Sequence, residues 1–80
     1  MNKFTVRREG VVILSGVEGE LFEAQRIDLY NRTGARDFAE TIQPEDKISW
    51  DDQAATIVKV APLLGQKPPF IGRGVRLVIA

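Results

Sequence analysis

Carboxylates are the main chemical resource of this chain of 80 residues, and every one except Glu9 falls between Glu18 and Asp52. Paired carboxylates can hydrolyse glycosides or hold a hard divalent cation through oxygen. Asp51-Asp52 is the best local pair for such an ion, but two adjacent aspartates also suit the polar tip of a tight hairpin, and that is the preferred reading. The chain has no His and no Cys. The commonest general base, the thiolate nucleophile and the commonest zinc ligands are therefore all missing. No catalytic residue, metal or cofactor is expected, and the chain is read as a non-enzyme.

Binding chemistry is more visible. Residues 62–74 hold three prolines and three glycines, too many for regular structure, yet Leu63, Leu64, Phe70 and Ile71 make the stretch apolar for a loop. Such a loop either caps its own fold or reaches another chain. Pro68-Pro69 favours an extended form, which would present Phe70 and Ile71 with Lys67 and Arg73 as a polar rim. With Arg76 just beyond, the candidate partner-binding residues are Leu63, Leu64, Lys67, Phe70, Ile71, Arg73 and Arg76. Gly72-Arg73-Gly74, that basic end, and the rings of Tyr30, Trp50 and Phe70 could instead serve nucleic acid. A formal net charge of zero argues against it, because phosphate binding draws on excess positive charge. Gly16-Val17-Glu18-Gly19 lacks the Lys of a phosphate loop and reads as a turn.

The elements that position these residues follow mainly a period of two. Phe4 and Val6 alternate with Thr5 and Arg7, and Val11 to Leu14 is an apolar run of strand length. Ser15 to Gly19 carries turn signals. Glu20 to Tyr30 reads as one strand bent near Gln25-Arg26, with a helix through Leu21 to Leu29 as the competing assignment. Asn31 to Gly34 is a turn; Phe38, Glu40 and Ile42 make a weak strand that ends at Pro44. Pro44 to Asp46 turns into the clearest hairpin, residues 47–61, around Asp51-Asp52-Gln53. Val75 to Ala80 is the last strand. The expected core is Ile48, Trp50, Ile57, Val60, Leu77 and Ile79, with Trp50 as its anchor. Five to seven short antiparallel strands make an all-β single domain over residues 1–80, a small barrel or sandwich of SH3-like or OB-like size.

A domain of this size buries only about 60 to 65 % of its unfolded surface, and without disulfides or metal the remaining support is a partner. The charges are segregated: Lys3, Arg7 and Arg8 mark the start, the acids fill the middle, and Lys59, Lys67, Arg73 and Arg76 stand without an acid at the end. This suggests basic ends of one molecule meeting the acidic middle of another. No stretch looks like a signal peptide or membrane span, so a soluble protein of the cytoplasm is expected.

The stretch from Glu45 to Asp52, continued by Ala55 to Pro62, resembles a pattern of the small head-closure, or head–tail joining, proteins of tailed bacteriophages. In that family a short D-x-I-x-W-D-G hairpin is followed by a strand reading Y-x-I-x-x-V, a variable loop and a final strand. Asp46, Ile48, Trp50, Asp51, Ile57 and Val60 match it; Asp52 replaces the usual Gly, and Ala54 or Ala55 the usual aromatic. The resemblance covers residues 28–80. It implies a β-barrel subunit, non-enzymatic, forming a homo-oligomeric ring at the neck of a virion between neighbouring neck and tail proteins. The alternative is a small β-barrel module for nucleic acid or a regulatory partner.

Overall fold

The computed structural model describes residues 2–23, 25–32, 38–63 and 73–80. Among these residues there are six strands and one short helix: β1 (Asn2–Arg8), β2 (Val11–Phe22), β3 (Arg26–Leu29), α1 (Phe38–Thr41), β4 (Lys47–Trp50), β5 (Gln53–Leu63) and β6 (Gly74–Ile79). All pairings are antiparallel, and the sheet closes as a barrel in the order β1-β2-β3-β6-β5-β4. The architecture is thus two three-stranded meanders, β1-β2-β3 and β4-β5-β6. They are joined along two seams, β1–β4 and β3–β6.

The hairpin over residues 47–61 lies where alternation placed it. Trp50 pairs with Gln53 across Asp51-Asp52, two exposed turn residues. The core fills from the inward positions of every strand. Phe4, Ile27, Leu29, Ile48, Ile57 and Leu77 are fully buried. Trp50 is buried too, with its ring centroid 5.5 Å from that of Phe4 at 49°. Val60 is only half-buried, at the margin of the core.

Four expectations need correction. Ser15 to Gly19 is strand, not turn: β2 runs straight through, absorbing its extra residues as bulges. Phe4 pairs with Val17 but Val6 with Leu14, and Arg7 with Val12. Gly16, at φ 64°, sits in the first bulge. Gly19 has a different purpose, because a Cβ there would run into the Asp28 backbone oxygen and the side chains of Leu29 and Phe4. Glu20 to Tyr30 is not one bent strand. The shift of apolar phase from Leu21 to Ile27 marks a chain reversal, where the Gln25 amide donates to the Phe22 carbonyl at 3.2 Å before β3 returns along β2. The weak strand at Phe38 to Ile42 is helical: the Ile42 amide donates to the Phe38 carbonyl at 2.9 Å. Both residues are buried, and their spacing of four places them on one helical face.

The expected 62–74 loop is shorter than its bounds, because its ends belong to the sheet. β5 continues through Pro62 and Leu63, which pair with Val75 and Gly74. Among the described residues this part of β5 has β6 as its only ladder neighbour, a position where the missing N–H of Pro62 is tolerated.

Candidate partner-binding surfaces

The segregated charges meet within the chain. Lys3 lies 3.5 Å from Glu18, Arg8 2.8 Å from Asp46 and Arg76 3.0 Å from Asp28, so both basic ends reach the acidic middle of their own molecule. Topology causes this, since β1 lies between β2 and β4, and β6 lies beside β3.

Two of these pairs are built around buried aspartates. Asp46 accepts from Arg8 Nε and Nη2, both at 2.8 Å, and from the Gln43 amide at 2.9 Å. Arg8 Nη2 also donates to the Thr41 carbonyl at 2.9 Å, tying β1 to the end of α1. The Arg8 hydrogen bonds, helped by the Gln43 amide and the Arg8 charge, hold the Asp46 carboxyl below its usual range despite its burial. Asp28 accepts from Arg76 Nε and Nη2, both at 3.0 Å, with Arg26 Nε 3.6 Å away. Nearby, burial first, then a hydrogen bond to Glu20 and the charges of Glu20 and Asp28, push the Tyr30 hydroxyl up to about 12.

Of the loop residues singled out from sequence, Leu64, Lys67, Phe70 and Ile71 lie outside the described residues. Leu63 is half-buried opposite Gly74, and Arg73 is exposed at the foot of the β5–β6 hairpin. The Arg73 carbonyl accepts from Nδ2 of fully buried Asn31 at 3.3 Å. Arg76 stands apart from them, in the sheet and engaged by Asp28. Reversing its charge would therefore disturb the fold as well as any contact between molecules.

Four exposed valines are absent from the candidate residues named from sequence. Val11 and Val12 are 65 % and 47 % exposed beside the β1–β2 turn, and Val58 and Val78 are 52 % and 39 % exposed on neighbouring strands. A signal for them existed. Val11 begins an apolar run without polar alternation, and Val78 occupies the outward phase that Arg76 sets in β6. Val78 also lines a groove of about 500 Å³ with Leu21, Phe22, Glu23, Gln25 and Arg26. The Arg26 guanidinium lies over the Phe22 ring at 4.2 Å from its centroid. A second cavity, of about 530 Å³, lies among Lys3, Leu14, Glu18, Tyr30, Asn31 and Phe38. No helix among the described residues is long and apolar enough to cross a membrane, and no cluster of three metal-ligating side chains occurs among them.

The fold defines a class, a small closed antiparallel β-barrel. Comparison with protein-family models, curated proteins and solved structures finds no match for the chain.

Proposed function

We propose that this protein is a non-enzymatic assembly subunit, of the kind that joins head to tail in tailed bacteriophages and works as a ring of barrels. The observation that carries the reading is the set of exposed valines: Val11, Val12, Val58 and Val78 stand in water in the single chain and gain by being covered by another protein surface. The hairpin at Asp46 to Asp51, which carries the resemblance to head-closure proteins, forms the β4–β5 corner. Its Trp50 packs in the core.

Nucleic-acid binding is the weaker reading, because Lys3, Arg8, Arg26, Arg32 and Arg76 all pair with acids of the same chain. Size-exclusion chromatography with light scattering tests the proposal. A concentration-dependent oligomer of discrete mass is expected. A chain that stays monomeric at its highest soluble concentration overturns the ring.

A further inference from the structure

We infer that Arg7 and Lys47, on the outer face of the β1–β4 seam, form an anion site that takes a carboxylate from an acidic segment of a partner protein. The site is complete within one chain, so it goes beyond the ring and does not depend on it.

One row of residues crosses four strands on the outside of the barrel. Val12 pairs with Arg7, Arg7 with Lys47, and Lys47 with Thr56. Val12, Arg7 and Lys47 are exposed. Two cations thus stand directly opposite each other, where Cβ atoms are only about 4.5 to 5.5 Å apart and like charges repel. A cross-strand pair placed for stability alone carries opposite signs, as Asp28 and Arg76 do on the other seam.

No acid relieves the repulsion. Neither Arg7 nor Lys47 makes an ion pair among the described residues. Asp46, next to Lys47 in the chain, is buried and taken up by Arg8. Hydroxyls hold the two cations instead. Arg7 Nη1 donates to Ser49 Oγ at 3.0 Å, and Lys47 Nζ donates to Thr56 Oγ1 at 2.7 Å. Ser49 and Thr56 accept these bonds and keep their own O–H to donate. An oxyanion between the cations finds a guanidinium, an ammonium and two hydroxyls around it, and it cancels the repulsion.

A protein carboxylate is favoured over the phosphate of a nucleic acid. Val12 is 47 % exposed and adjoins Arg7 in the row, so the anion lies beside apolar surface. An acidic residue with an apolar neighbour in its own chain suits both. Nucleic acid draws on further unpaired cations along its track, whereas Lys3, Arg8, Arg26, Arg32 and Arg76 are engaged by acids of the same chain.

The probe is a capped Leu-Glu-Glu-Leu peptide, titrated into isotope-labelled protein at low salt and followed by NMR. Amide shifts should concentrate at Arg7, Val12, Lys47, Ser49 and Thr56, and added salt should reverse them. Lys47→Gln should weaken binding several-fold. Lys59→Gln, which removes an exposed cation further along β5, should leave it unchanged. Lys47→Glu separates a binding role from a structural one. It sets an acid opposite Arg7, so binding should vanish while the melting temperature of the free chain rises by about 2 to 6 °C. A fall in melting temperature makes the row a structural one held by its hydroxyls, and overturns the site. Shifts scattered over the surface, or equal weakening by Lys59→Gln, overturn it as well. Tighter binding of a short oligothymidylate at the same amides overturns the acidic partner and assigns the site to nucleic acid.

Discussion

The two seams of the barrel are closed by the same device in unlike settings. At β3–β6, Asp28 and Arg76 face each other inside a ladder that runs from Arg26 and Val78 to Leu29 and Val75. The Ile79 amide extends that ladder by donating to the Gln25 carbonyl at 2.9 Å. The ion pair there lies on top of pairing that already exists. At β1–β4 the ladder covers only Thr5 to Arg7 against Ser49 to Lys47. Arg8 reaches one residue past its end to Asp46, and through Thr41 to α1. Asp46 in turn orders its own turn through the Gln43 amide, while its backbone carbonyl accepts from the Ile57 amide at 2.9 Å. A charge pair that repeats a seam and one that extends it should differ in worth even though their geometries are alike.

The largest effect is expected from Asp46→Ala. It removes three charge-assisted hydrogen bonds at a buried site and releases β1 from the turn ahead of β4. A loss of about 2 to 3 kcal/mol is expected in urea unfolding, the scale of a well-made hydrogen bond to a charged group in a buried setting. A loss no greater than that for Asp28→Ala would abolish the distinction between the seams.

Acid should expose the same clamp. Because Asp46 titrates below its unfolded value, its contribution is complete above the ordinary carboxylate value of about 3.9. It declines as the pH falls below that value and is gone once the pH has passed through the lower, folded one. The Asp46→Asn protein should start less stable at neutral pH and show a flatter loss on acidification. Parallel acid curves for the two proteins would remove Asp46 as a source of the slope.

Asp28→Ala should cost less, about 1 kcal/mol, since Arg76 is part-exposed and the β3–β6 ladder holds this seam without the ion pair. The β3–β6 ladder stays intact, so amide exchange in β6 should change little. Rapid exchange throughout β6 would mean that this pair closes the seam.

Legibility in the sequence followed the range of the interaction. The β4–β5 corner was readable because its alternation, its turn residues and Trp50 lie within a few residues of one another. The strand character of β1 and β6 was readable for the same reason. The helix at Phe38 was not. Phe38, Glu40 and Ile42 also satisfy a period of two, and only packing shows that Glu40 is exposed while Phe38 and Ile42 share a face. The charge segregation was plain, but its resolution depends on pairings such as Arg8 with Asp46 and Arg76 with Asp28, separated by 38 and 48 residues. No local pattern reports which strands become neighbours. Of the candidate site, the apolar character of residues 63–71 and of Val11 to Leu14 was visible. Val78 was legible from the alternation that Arg76 sets in β6, whereas the placing of Val58 depends on a bulge in β5 that composition does not announce.

The division into two meanders also bears on how the chain folds. Within each half the strands are joined by hairpins, so their loops close over short distances. Both seams join residues far apart and incur a larger loop-closure entropy. The halves are therefore expected to form early, with their docking as the slow, rate-limiting event. Nature has supplied a reporter for it: Phe4 belongs to the first half and Trp50 to the second, and their rings meet across the β1–β4 seam. Indole fluorescence in a stopped-flow experiment should change with the docking step, after pulse-labelled amides of the β1–β2 and β4–β5 hairpins are already protected. Protection that arrives together with the fluorescence change would mean that the barrel condenses in a single step.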